Sequence, residues 1–238
     1  TVRHSLPAIA LVAMLGASSL APLSAQVGVP PERSPFRSIR PGTMFELNGG
    51  IIGGSGGPLH AGPRDGNVLG LKILLRANST LSLGFGLWGS DTRRTIIDPM
   101  KAPGQQEAGE ADQELVGAEA TFQFNLTGGK TWRGVAPYFG TGLGVVKAGE
   151  TNDQAGYDFG TKFYFAPMIG TRVFVGHRMS LRAEARAFTW KLKYPSTWSL
   201  EPEADPGTAE DPHAVNPTGR SGQYVVAPAL TIGIGVAF

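Results

Sequence analysis

The chain has no cysteine among its 238 residues. Disulfide staples, thiol chemistry and cysteine-based metal sites are therefore excluded. Histidine is scarce, at four residues. No two stand at the four-residue spacing of a helical metal pair, so neither a metal nor a cofactor is expected. Charged residues make up only 17%, below the usual quarter. A net charge of +2 is too small to argue for a nucleic-acid partner. After the first turns of the chain, no apolar run approaches the roughly 18 residues that a transmembrane helix needs.

Glycine is abundant instead, at 34 residues, far above its ordinary share. Apolar side chains alternate with small or polar ones, most clearly from Gln223 to Phe238. Tyr224, Val226, Pro228, Leu230, Ile232, Ile234, Val236 and Phe238 form one apolar face with an aromatic at each end. Gln223, Val225, Ala227, Ala229, Thr231, Gly233, Gly235 and Ala237 form a small or polar face. A period of two predicts a strand, because successive side chains point to opposite sides. The small face predicts a crowded concave interior. An apolar band with aromatics at both ends is the pattern of a barrel strand crossing a membrane.

Residues 1–25 read as a cleavable signal peptide. Arg3 and His4 are basic, Ala8 to Leu15 is an apolar run, and Leu23-Ser24-Ala25 precedes the expected cut before Gln26. The run is too short to span a bilayer. Residues 26–42, with four prolines, read as an extended periplasmic lead-in. Residues 43–238 read as one barrel domain.

Eight strands are predicted in that domain: Thr43–Ile52, Asn67–Ala77, Thr80–Ser90, Gln113–Leu126, Val135–Ala148, Phe159–Val175, Met179–Tyr194 and Gln223–Phe238. Short connections (Asn78-Ser79, Thr127 to Gly134, Gly176-His177-Arg178) alternate with long polar ones: Gly53 to Gly66, Asp91 to Asp112, Gly149 to Asp158, and Pro195 to Gly222. Short turns at one end and long loops at the other are how outer-membrane barrels are built. The fold class is thus all-β, an eight-stranded antiparallel transmembrane up-and-down β-barrel in a bacterial outer membrane, with both ends of the domain on the periplasmic side. In the seventh strand two readings stand open. A bulge near Ala187 flips the register, or Phe188, Trp190, Leu192 and Tyr194 fill the upper lumen while Lys191 and Lys193 face outward at the depth of lipid phosphates.

The same alternation turns nine charges inward: Glu46, Lys72, Arg76, Glu119, Lys162, Arg172, Arg182, Glu184 and Arg186. An Arg or Lys on the lipid face at mid-depth would cost roughly 2–4 kcal/mol, whereas acids and bases inside can pair. Eight strands enclose an interior that side chains can fill. A paired network that packs the lumen shut is therefore expected over a conducting path, with Glu119 and Glu184 in mid-barrel beside Arg172, Arg182 or Arg186.

Signal peptide, eight amphipathic strands, alternating loops, charged interior and Phe238 together resemble the small outer-membrane barrels of the OmpA, OmpX and OmpW type. The likeness covers almost the whole chain after the signal and lies in architecture. The last strand resembles the signal read by the barrel-assembly machinery, with Tyr224, Ile232, Ile234, Val236 and Phe238 at the matching positions. The resemblance implies a monomer that meets outer-membrane lipid and lipopolysaccharide, periplasmic chaperones and the assembly machinery. A peptidoglycan-binding domain after the barrel is not expected.

Enzymatic chemistry is not expected. Gly129-Lys130-Thr131 lacks the earlier glycine of a phosphate loop, since Phe124 stands there. Gly140, Gly142 and Gly144 lie two apart in a strand and suit a lumen face better than a dinucleotide turn. Some small barrels modify lipids or cleave proteins. On paper, His60 or His213 could join Ser55, Ser221, Asp65 or Asp211, but no spacing supports such a site. The segment Pro195 to Gly222, with five prolines and five acidic residues, is expected to bury little and to move. The expected function is structural or interaction-based, in envelope integrity, adhesion or surface contact through the outer loops. A narrow pore or transporter for small or hydrophobic solutes is the alternative, and a soluble lipocalin-like binder is disfavoured by the apolar outer face of the last strand.

Overall fold

The computed structural model describes residues 33–39, 42–149, 156–175 and 178–238. The expected signal peptide, most of the lead-in, residues 150–155 of one loop and His177 lie outside the described residues. The chain divides into Thr1–Ser34 and Pro35–Phe238. Only Arg33 and Ser34 of the first unit are described, and everything below concerns the second.

Among the described residues ten strands run in chain order: β1 (Phe36–Ser38), β2 (Thr43–Ile52), β3 (Arg64–Arg76), β4 (Leu81–Ile97), β5 (Glu107–Asn125), β6 (Lys130–Trp132), β7 (Val135–Ala148), β8 (Thr161–Val175), β9 (Met179–Lys193) and β10 (Gly222–Ala237). β2, β3, β4, β5, β7, β8, β9 and β10 each pair antiparallel with the next. β10 returns to β2, with Ile234 opposite Leu47. The result is the closed eight-stranded up-and-down barrel that the sequence predicts. Closure leaves no free sheet edge in the wall, so the backbone groups there are paired between strands.

Side-chain direction follows the sequence alternation. On β3, Leu69, Leu71, Ile73 and Leu75 are exposed while Val68, Gly70, Lys72 and Leu74 turn inward. On β10, Val226, Leu230, Ile232 and Ile234 face out while Ala227, Ala229 and Thr231 are buried. Exposed large apolar side chains thus girdle the molecule, and buried charges fill its axis.

Four features depart from or complete the sequence reading. First, β4 and β5 continue beyond Ser90 and Gln113, with Arg93 opposite Asp112 and Thr95 opposite Glu110. The expected loop Asp91 to Asp112 is therefore mostly a strand pair. Its outward face turns polar at Asp91 and Arg93, so a reading by hydropathy stops where the apolar belt stops. Second, Phe36–Ser38 inside the lead-in pairs with Lys130–Trp132 inside the turn after β5.

Third, β9 pairs with β10 without a register shift, from Lys193 opposite Gly222 to Met179 opposite Val236. No bulge flips it. Phe188, Trp190 and Leu192 therefore point inward and Lys191 and Lys193 outward. Fourth, the proline-rich segment Pro195 to Gly222 is largely exposed, as expected, but is tied to the barrel at one buried side chain. Trp198 is fully buried and stacks between Tyr157 (5.5 Å) and Tyr194 (5.7 Å). The Asn216 N–H donates to the Trp198 carbonyl at 2.8 Å, and Glu201 accepts from the N–H groups of Gly207 and His213 at 3.0 and 2.9 Å. One buried indole anchors a segment otherwise made mostly of polar residues, prolines and small side chains.

The main apolar cluster lies in the long-loop half of the barrel, where Trp88, Tyr164, Phe188, Trp190, Leu192 and Trp198 belong to it. The ion pairs lie below it, with Leu74 and Ala136 buried toward the short-turn mouth.

Candidate functional site: the filled lumen

Inward positions of seven strands contribute to one connected network. Glu46 on β2 accepts from Arg172 Nε at 2.7 Å and Arg182 Nη1 at 2.5 Å. Arg182 also donates to Glu184 at 2.7 Å, and Arg186 donates to Glu184 at 2.5 Å and, across the barrel, to Glu119 on β5 at 2.9 Å. Lys72 Nζ on β3 lies 3.0 Å from the other oxygen of Glu119. All seven side chains are buried.

Neutral groups complete the shell. Tyr138 on β7 donates to Glu184 at 2.7 Å, and its ring lies 4.4 Å from the Arg172 guanidinium. Tyr164 on β8 donates to Glu119 at 3.1 Å and accepts from the Trp88 indole on β4 at 2.7 Å. Arg172 donates to Gln123 on β5 at 2.6 Å. Each carboxylate therefore has two or more donors, the condition under which buried charge is tolerated. Removing one member of such a network leaves a buried charge unanswered, at about 3–5 kcal/mol.

Seven of the nine inward charges expected from sequence meet here. Arg76 and Lys162 do not. Arg76 sits half-buried at the short-turn mouth and donates to the Ile39 carbonyl at 3.1 Å. Lys162 sits at the opposite rim with its ammonium 5.5 Å from the Phe159 ring. Glu119 and Glu184 occupy mid-barrel beside Arg182 and Arg186, while Arg172 goes to Glu46. The network holds one more cation than carboxylate.

Trp88, Tyr138, Tyr164 and Gln123 are the partners that charge alone does not reveal. Their inward parity was the available signal. Arg94, buried in the β4 extension with its guanidinium 5.3 Å from the Tyr157 ring, had no such signal, because that stretch reads as loop. Space for the rings comes from glycines on the same face. A side chain at Gly117 would collide with the Trp88 indole, and one at Gly170 with the Tyr138 ring.

Above the ion pairs lies an aromatic layer. Trp88, Tyr164 and Phe188 pack with centroids 4.9 to 5.8 Å apart, and Trp190 packs on Phe159 at 5.7 Å. The segment 195–222 closes over this layer. The extended β4–β5 pair joins the cover through Gln106, which donates to the His213 carbonyl at 2.8 Å, and through the Arg64–Glu110 ion pair. Interior voids of about 20 Å³ between Lys72 and Phe188 and about 40 Å³ at the short-turn mouth have room for one or a few waters.

The remaining sequence candidates are dispersed. His60 lies 3.4 Å from Glu107. His213 lies 3.5 Å from the Asp205 carboxylate and 3.8 Å from that of Asp211. Among the described residues no group of three or more His, Asp or Glu side chains is arranged to hold a metal ion. Tyr224, Ile232, Ile234 and Phe238 are exposed on the outer wall along β10, with Val236 partly covered between them.

No family model matches the sequence, and no curated protein matches it significantly. Among solved structures, the chain is similar to the outer membrane protein OprG from Pseudomonas aeruginosa, at 12% identity and a TM-score of 0.49, covering 84% of this chain and 98% of that one. It is similar to Neisserial surface protein A, at 16% identity and a TM-score of 0.47, covering 86% and 98%. It is also similar to the outer membrane enzyme PagL, at 12% identity and a TM-score of 0.35, covering 82% and 99%. No residue role is carried over from any of them.

Proposed function

We propose that this protein is an integral outer-membrane barrel whose lumen is sealed, and that it acts as a non-enzymatic structural and contact element through its long-loop face. The carrying observation is the inverted distribution of polarity. Leu71, Phe85, Phe165 and Ile232 are exposed on the wall while Glu46, Lys72, Arg182 and Glu184 are buried on the axis. A water-facing protein would lose stability by this arrangement, and a lipid-facing one gains it. The outward apolar residues of β8 run from Phe163 to Val175. At ordinary rise and tilt this spans roughly 30 Å along the barrel axis, enough for an apolar belt of about 25 Å.

The sealing reading is supported by two stacked layers, ion pairs below and aromatics above, under a cover built from the segment 195–222 and the extended β4–β5 pair. On this reading the long-loop end faces outward and the packed segment 195–222 is the contact surface, since a loop held on a rigid scaffold is a ready binding element.

The test is single-channel recording of protein refolded into planar bilayers, with folding checked by heat-modifiable gel mobility. The expected result is insertion without discrete openings, and the R182Q/E184Q/R186Q variant gains a leak when the network is neutralised. Stable openings of the wild-type protein would overturn the sealed lumen and make transport the function.

A further inference from the structure

The outward face of the wall carries three lysines in one sector of the long-loop end. Lys147 on β7 stands opposite Thr161 on β8. Lys191 on β9 stands opposite Tyr224 on β10, with its ammonium 5.9 Å from the ring centroid. Lys193 stands opposite Gly222. All three are exposed. None is in an ion pair among the described residues. Asp158, at the same rim, is engaged by the Gly160 N–H at 2.8 Å.

Depth and charge identify what such a sector faces. Phe163 and Tyr224 are among the most exposed aromatics of the molecule, at 85% and 71%, and lie on the strands flanking Lys191. Aromatic side chains of this kind mark the boundary between hydrocarbon and headgroups. Below them the wall is apolar through Phe165, Val226 and Leu230. The ammonium groups therefore sit at headgroup depth, where the nearest anions are lipid phosphates. The sector opposite β9 and β10, on β4 and β5, presents Asp91, Asp112 and Glu114 outward with Arg93 among them, and Lys147 borders it, standing across from Val116 two residues from Glu114. The collar is thus polarised, and an anionic headgroup is drawn to the side of Lys191 and Lys193, with Lys147 at its edge.

We infer that Lys147, Lys191 and Lys193 form a docking surface for the phosphates of a lipid A-type glycolipid in the outer leaflet. The inference rests on the outer-membrane reading above. It assigns one flank of the barrel to a bound lipid and leaves the acidic flank to water and mobile cations.

The test uses the full chain folded in detergent and titrated with bisphosphorylated lipid A, with dephosphorylated lipid A or with cardiolipin, bound lipid being counted by native mass spectrometry. A basic residue near a membrane surface contributes about a fivefold gain in affinity. The K147Q/K191Q/K193Q variant is therefore expected to bind bisphosphorylated lipid A on the order of a hundredfold more weakly. Its weak binding of dephosphorylated lipid A stays as in wild type. The K130Q/R133Q/R178Q variant, which removes three exposed cations at the short-turn end, binds as wild type. An equal loss in both variants, or wild-type binding indifferent to phosphate, overturns the site. Cardiolipin binding as tight as lipid A at the same lysines overturns the assigned source. Failure of the wild-type protein to insert into liposomes would instead remove the membrane reading on which the site rests.

Discussion

Arg186 on β9 reaches across the barrel to Glu119 on β5 at 2.9 Å, while its remaining donors hold Glu184 two residues away on its own strand. This single side chain joins the Lys72–Glu119 pair to the Glu184–Arg182–Glu46–Arg172 chain. Replacing Arg186 by Met breaks the junction and leaves two carboxylates under-compensated. The expected loss is about 3–5 kcal/mol, read from the urea midpoint of gel mobility in lipid micelles. In a double-mutant cycle with Glu119→Gln, a coupling above about 0.5 kcal/mol is expected. A coupling near zero would mean the two side chains do not meet.

Gly117 lies beneath the Trp88 indole, and a methyl group there would occupy the space of the ring. Gly117→Ala is expected to displace Trp88 and to cost about 1–3 kcal/mol, with a shift in tryptophan emission. Gly89→Ala is the control, since its added carbon meets nothing nearer than the Leu115 carbonyl at 3.8 Å. Equal effects of the two substitutions would contradict the placement of Trp88.

Trp198 holds the segment 195–222 by its rings, and its buried Nε1 has no hydrogen-bond partner among the described residues. Trp198→Ala is expected to cost about 3–5 kcal/mol locally and to open the segment to trypsin at Arg220. Trp198→Phe keeps most of the stacking and loses no hydrogen bond, so it should remain resistant. Cleavage of wild type and both variants at one rate would show that the segment is not anchored there.

His213 lies in the same segment. Its pKa is raised above the ordinary 6.5, first by a hydrogen bond to the Asp205 carbonyl and then by the charges of Asp205, Asp211 and Glu201. A raised value in the folded state means that the protonated imidazole helps hold the segment below about pH 6.5. That contribution is lost as pH rises through the folded pKa. The NMR titration midpoint of the His213 ring should lie above 6.5 and should fall in Asp205→Asn. A midpoint at or below 6.5 would remove the pH dependence.

Much of the wall was legible because a strand in a half-apolar environment must alternate. The apolar positions of β3 and β10 named their own direction, and the inward charges followed by parity. The reading failed where alternation carries no polarity contrast. Beyond Ser90 the outward face of β4 turns polar, so the strand continues unseen. In β9 the inward face changes from Arg182, Glu184 and Arg186 to Phe188, Trp190 and Leu192, and both directions suit an aromatic near a membrane boundary. Only the unbroken pairing with β10 settles the direction. The segment 195–222 buries little, as its polar, proline-rich composition predicts, but composition cannot show that one tryptophan finds a pocket between Tyr157 and Tyr194.

The sequence by itself determined the fold class, the number of wall strands and which side chains turn inward along the apolar belt, because each depends on residues two apart. Tertiary structure alone decided which charges meet. Arg172 lies 126 residues from its partner Glu46, and Arg186 lies 67 from Glu119. Their meeting depends on the stagger with which β10 closes onto β2, a property of the whole ring of strands. The same closure left Arg76 and Lys162 at the two rims. Their parity matches that of the network, but parity carries no information about height.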